Sequence, residues 1–128
     1  MNSNLTHSYM KILVIDDDEA ALKFIREILK HDGFNVLTAS NGCKAFELLA
    51  QNPDVSVVIA DIIMPEQEGI EIIRKIKSDH PHIKIVAISG GGKMSPESYL
   101  HLAYAMGADA TLKKPFGYRE LLNVLRYL

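Results

Sequence analysis

The chain has 128 residues, 48% of them hydrophobic, and a formal net charge of −2. That length suits one domain with one core, and the slight acidity excludes a dedicated nucleic-acid surface, which needs clustered Lys and Arg. No stretch reaches the roughly 18–20 apolar residues of a membrane span, and the single Cys43 excludes an internal disulfide framework and fits a reducing, cytoplasmic compartment.

Residues 1–9, within "MNSNLTHSYM", lack a basic region followed by an apolar core. They read as a short flexible leader and not as a secretory signal, with the folded domain running from 10 to 128. "KILVI" (11–15) is continuous and β-branched, as a strand buried on both faces should be. The next segment, 18–31, places Ala21, Leu22, Ile25, Ile28 and Leu29 at helical spacing, and "HDGF" ends it with Gly33 as C-cap. "FNVLTA" (34–39) is a second strand, and Ala45, Leu48 and Leu49 mark a second helix. "VSVVIA" (55–60) is a third apolar strand; Pro65 and Gly69 then punctuate before a helix carrying Ile70, Ile73 and Ile76. "IKIVAI" (83–88) is a fourth strand. Ser95 and Pro96 offer an N-cap and a first helical position, and that helix ends at Gly107. "ATL" (110–112) is a short fifth strand, and Tyr118, Leu121, Leu122 and Leu125 mark a closing helix.

Strand and helix alternate five times. Doubly apolar strands with helices between them predict an α/β fold, a five-stranded parallel sheet covered on both faces. Right-handed crossovers make it doubly wound.

Ligands of such folds bind beyond the carboxyl ends of the strands. Strand one ends in Asp16-Asp17-Asp18, strand three in Asp61, strand four in Ser89, and strand five in Lys113-Lys114 before Pro115. Carboxylates gathered on one rim repel, by roughly 4 kcal/mol for a pair about 4 Å apart at an effective dielectric of 20. A hard cation such as Mg²⁺ removes that cost and takes carboxylate, water and phosphate oxygens. A lysine adds a point charge for phosphate, and a hydroxyl adds a hydrogen bond. The remaining carboxylate can attack phosphorus to form an aspartyl phosphate. The set predicts a phosphoryl-handling site.

"ILVIDDDEA", "VIADIIMP" with Gly69 downstream, "IVAIS" and "GADATLKKPF" resemble the receiver domain of response regulators, the CheY-like module, from about Lys11 to Leu128. The resemblance implies a flavodoxin-like (βα)5 fold with strand order 2-1-3-4-5. It implies Asp61 as phosphoacceptor, Asp16 and Asp17 as the acidic pair that with Asp61 binds Mg²⁺ (or Mn²⁺ in its place), and the Ile63 backbone carbonyl as a further metal ligand. Ser89 matches the hydroxyl that bonds the phosphoryl group, and Lys114 the lysine that pairs with it. The implied partners are a sensor histidine kinase or a histidine phosphotransfer protein, a downstream protein target, and a second copy meeting through the fourth helix, fifth strand and fifth helix. Neither direct nucleic-acid binding nor membrane insertion is implied. The resemblance implies a module that phosphorylates itself and hydrolyses its own aspartyl phosphate, and is not a turnover enzyme. Its signal is a two-state change of the fourth and fifth strand–helix units.

The chain departs from the pattern in three places. Thr111 stands where receivers carry an aromatic residue in strand five. The span from Ser89 to Lys114 is about three residues longer than usual, the excess falling in "GGGK"; we expect Gly90–Lys93 to be the moving part of the switch. No output domain follows, so the expectation is a stand-alone receiver, with a receiver cut from a larger regulator or hybrid kinase, or a non-phosphorylated docking module, as alternatives.

Rival chemistries fail on particular residues. "ISGGGKMSPES" suggests a phosphate loop, but the P-loop needs G-x-x-x-x-G-K-[ST], and here position 87 is Ala and position 94 is Met. A haloacid dehalogenase-type phosphatase needs a second Asp two residues after the first; position 63 is Ile. An FMN carrier would set its phosphate against a carboxylate rim, and there is no Trp to stack on the flavin. The five histidines lack metal-ligand spacing, and Cys43 reads as a small packing residue.

Overall fold

The computed structural model describes residues 10–64, 68–90 and 95–128. It contains one five-stranded parallel sheet of β1 (Lys11–Ile15), β2 (Asn35–Ala39), β3 (Val55–Asp61), β4 (Lys84–Ser89) and β5 (Ala110–Lys113), in the order β2-β1-β3-β4-β5. The chain divides into two units, Met1–Ile59 and Ala60–Leu128, and β3 runs from the first into the second.

In the first unit, β1 (Lys11–Ile15) buries Ile12, Leu13, Val14 and Ile15 completely. An apolar run without alternation is what burial on both faces demands. It pairs in parallel with β2 (Asn35–Ala39), Ile12 opposite Val36 and Ile15 opposite Ala39. β2 stands at the sheet edge and is only half-buried over Val36–Thr38. Between them, α1 (Glu19–His31) starts at Asp18, whose Oδ1 accepts from the Ala20 N–H at 3.0 Å. That bond satisfies a donor the first helical turn leaves free. Leu22, Ile25 and Leu29 form its buried stripe. The C-cap is Asp32, one residue earlier than the sequence suggests; Gly33 follows at φ 95° and turns the chain into β2. The second helix, α2 (Gly42–Gln51), starts at Asn41, whose Oδ1 accepts from the Lys44 N–H at 2.8 Å. Cys43 lies in its exposed first turn, not in the core. Then β3 (Val55–Asp61) begins.

In the second unit, α3 (Glu68–Asp79) buries Ile72, Ile73 and Ile76, while Ile70 is half-buried. The inward stripe therefore runs through Ile72 and not Ile70 as the periodicity suggests. β4 (Lys84–Ser89) is buried from Ile85 onward and pairs in parallel with β5 (Ala110–Lys113), Ser89 opposite Lys113. α4 (Pro96–Ala105) starts at Ser95, whose Oγ accepts from the Ser98 N–H at 3.2 Å. It turns Ala103 inward and leaves Leu102 and Tyr104 exposed. α5 (Tyr118–Arg126) is entered at Gly117, whose N–H donates to Glu120 Oε1 at 3.1 Å, and it buries Leu121 and Leu125.

A clip closes the end of this unit where β4 begins. Lys77 Nζ, on α3, donates to the Ile83 carbonyl at 3.0 Å and to Asp109 Oδ2 at 2.8 Å. The Ile85 N–H donates to the same Asp109 oxygen at 2.8 Å. Gly107, at φ 116°, leaves room for the Lys77 stem: a Cβ there would lie 2.8 Å from Lys77 Cγ.

The expectations for the leader 1–9 and for most of the Gly90–Lys93 segment lie outside the described residues.

Candidate functional site

The polar residues of interest follow directly on buried strands. Asp16 succeeds β1 and is 1% exposed. Its N–H donates to the Ala39 carbonyl at 3.1 Å, continuing the ladder, and its Oδ1 accepts from the Asp18 N–H at 2.9 Å. Asp17 is exposed, and Asp18 is spent on the α1 cap.

Asp61 is the last residue of β3 and is 5% exposed. Its two oxygens have different partners. Oδ1 accepts from the Ile63 N–H at 2.7 Å, and Oδ2 accepts from Lys114 Nζ at 2.9 Å. A buried carboxylate needs such partners, because burial without them costs several kcal/mol, roughly. Ile62 holds the strand exit in place through its N–H, which donates to the Ile88 carbonyl at 2.9 Å.

Lys114 follows β5. Its N–H donates to the Ser89 carbonyl at 2.8 Å, which extends the β4–β5 pairing by one step. The Lys114–Pro115 peptide is cis. The lysine stem lies against Gly90, where a Cβ would come within 2.7 Å of Lys114 Cβ. Lys113, its neighbour, turns away and pairs with Glu97 in the first turn of α4 at 2.7 Å. That pair holds the Glu97 carboxyl below its ordinary value, chiefly through the hydrogen bond from Lys113.

Ser89 is fully buried, and among the described residues its Oγ has no hydrogen-bond partner. A buried hydroxyl without a partner is uncommon in a folded protein and asks for a reason. Thr111, second residue of β5, donates its hydroxyl to the Tyr104 hydroxyl at 3.3 Å. The ring missing from β5 thus has a phenol from α4 beside it.

Asp16, Asp17 and Asp61 each offer a carboxylate oxygen, and these oxygens lie within 4.8 Å of one another. Among the described residues, this is the grouping that could hold a metal ion. A set of hard oxygen donors fits Mg²⁺ or Mn²⁺ and not a soft-ligand metal.

Geometry therefore links Asp61 with Lys114 and Lys114 with Ser89, and groups Asp16 and Asp17 with Asp61. For Ile63, the described contact is its N–H on the Asp61 carboxylate. The Glu97–Lys113 pair and the tight places around Gly90 and Gly69 have no signature in periodicity, because each joins residues of different segments. Among the described residues, no helix is long and apolar enough to cross a membrane.

A family model for the response regulator receiver domain matches residues 12–126. The chain is 34% identical over 116 residues to the transcriptional regulatory protein CpxR of Klebsiella pneumoniae subsp. pneumoniae (strain HS11286), covering 91% of this chain and 47% of that protein. It is 34% identical over 120 residues to the response regulator MprA of Mycobacterium sp. (strain KMS), covering 93% of this chain and 50% of that protein. The chain spans about half the length of these curated relatives. Among solved structures, a response regulator receiver domain protein from Clostridium thermocellum superposes with a TM-score of 0.83 at 34% identity, covering 92% of each chain. A CheY-like receiver domain protein from Methanospirillum hungatei JF-1 superposes with a TM-score of 0.80 at 27% identity, covering 92% of this chain and 91% of that one. With its parallel sheet, its strand order and the family match across nearly its whole length, this chain belongs to the response regulator receiver domains of two-component systems.

Proposed function

We propose that residues 10–128 form one receiver domain that accepts a phosphoryl group on Asp61 from a sensor histidine kinase or a histidine phosphotransfer protein. The observation that carries this reading is the 2.9 Å contact between Lys114 Nζ and Asp61 Oδ2 at the end of buried β3. A buried carboxylate with a cation on one oxygen and a backbone N–H on the other is oriented before any donor arrives.

In the reaction, an Asp61 oxygen attacks phosphorus, the P–N bond of the donor phosphohistidine breaks, and the imidazole leaves with a proton. Lys114 moves its charge from the Asp61 carboxylate to a phosphoryl oxygen. Ser89, whose buried hydroxyl has no other partner among the described residues, turns that hydroxyl to a second phosphoryl oxygen. Asp16, Asp17 and Asp61, with the Ile63 carbonyl, would hold Mg²⁺, or Mn²⁺ in its place. The bound cation supplies neutralisation of the carboxylate and phosphoryl charges that would otherwise repel. Loss of Lys114 from Asp61 then biases the β4–α4–β5–α5 region between two states. The exposed Tyr104 and Leu102 on α4 support a surface there for a downstream protein or a second copy.

Mass spectrometry after treatment with acetyl phosphate tests the reading. One phosphoryl group should appear with Mg²⁺ and not with a chelator, and Asp61→Asn should abolish it. Acid-stable labelling that persists in Asp61→Asn would refute the assignment.

A further inference from the structure

Gly69 stands in the first turn of α3, and the space a side chain would need there is filled by the backbone leaving β3. A Cβ on Gly69 would lie 2.5 Å from Ile62 Cα, 2.6 Å from the Asp61 carbonyl oxygen and 2.8 Å from the Ile62 carbonyl carbon. All three are main-chain atoms, so no rotamer change opens the space. Gly69 does not need a left-handed φ, so conformational freedom is not the reason a poor helix former stands inside the helix start. Close approach of two backbones is the reason.

The atoms it presses on belong to the candidate site. Ile62 lies between Asp61 and Ile63. Its N–H is tied to the Ile88 carbonyl at 2.9 Å, and the Ile63 N–H holds Asp61 Oδ1 at 2.7 Å. A side chain on Gly69 would push Ile62 against that tie. The displacement would turn both the Asp61 carboxylate and the peptide that bears the Ile63 carbonyl.

We propose that Gly69 is a positioning residue for the metal and phosphoryl chemistry, setting how closely α3 abuts the strand exit. This rests on the reading of Asp61 and Ile63 as metal ligands. The effect belongs to the class of groups that orient ligands without touching the metal, whose loss weakens metal binding about 10- to 100-fold.

The test is calorimetric titration of Mg²⁺ into the native chain, Gly69→Ala and Ile76→Val. Ile76 is buried in the same helix, seven residues on from Gly69, and its trimming costs stability through the core. We expect Gly69→Ala to bind Mg²⁺ at least 10-fold more weakly. Ile76→Val should lower the melting temperature and keep native affinity. Equal affinity in Gly69→Ala and the native chain would overturn the inference alone. Failure of the native chain to bind Mg²⁺ would overturn the metal reading, and this inference with it. Should Gly69→Ala not fold, NMR of the native chain decides: the Gly69 amide should follow the Mg²⁺ titration with those of Asp61 and Ile63, and an unmoved Gly69 amide overturns the proposal.

Discussion

Lys114 Nζ donates to Asp61 Oδ2 at 2.9 Å across 53 positions of sequence. The pair is asymmetric in burial: the Asp61 side chain is 7% exposed and that of Lys114 29%. The carboxylate depends on the lysine more than the lysine on the carboxylate, because the ammonium keeps access to water.

Lys114→Ala should therefore destabilise the metal-free protein. Asp61 would remain buried with one oxygen lacking its charged donor, at a cost of about 1–3 kcal/mol. Mg²⁺ should recover most of that loss by supplying another cation. Thermal denaturation with and without Mg²⁺ measures both effects. An unchanged midpoint in the chelated sample would mean that Asp61 finds another donor.

Asp109 makes a different kind of contribution. Burial raises its carboxyl pKa, but hydrogen bonds from Lys77 and the Ile85 N–H, with the charges of Lys77 and Lys84, outweigh burial and hold it below its ordinary value. A carboxyl depressed in the folded state stabilises fully above its unfolded value near 3.9, and the contribution is lost as pH falls through the folded value. The Asp109 side chain keeps about a quarter of its surface in water, which screens the pair, so about 1 kcal/mol is expected at pH 7. Asp109→Asn should be less stable than the native chain by that amount at pH 7, and the gap should close toward pH 3. Urea denaturation at both pH values reads it; a gap of equal size at both would exclude the charge as its cause.

Tyr104 is 51% exposed on α4 and hydrogen-bonded to Thr111. If a second copy binds this region on phosphorylation, a beryllofluoride phosphate mimic should raise the mass seen by light scattering. Tyr104→Ala should abolish the rise while leaving phosphorylation intact. A mass that the mimic does not change would leave the downstream target, and not self-association, as the use of this surface.

Much of the fold was legible because its signals are local. β1, β3 and β4 read as strands because burial on both faces leaves no room for polar residues in the run. Asp18, Ser95 and Gly33 mark helix ends because orphaned N–H groups and a left-handed turn select those residues within a few positions. Tertiary packing overrode the pattern in α3, where Ile72 took the inward position assigned to Ile70.

The two adjacent lysines show where the local signal stops. Successive side chains on a strand point to opposite faces, so Lys113 and Lys114 had to part. Only the pairing of β5 with β4, Ser89 opposite Lys113, sent Lys114 to Asp61 and Lys113 to Glu97. The same holds for Gly69 against Ile62 and for Lys77 against Asp109. Sequence by itself determined which residues end the strands, because hydrophobic runs stop where polar groups begin. Which of those residues meet was decided by the tertiary structure, since strand register and helix contact distance are set by packing between segments that no local pattern links.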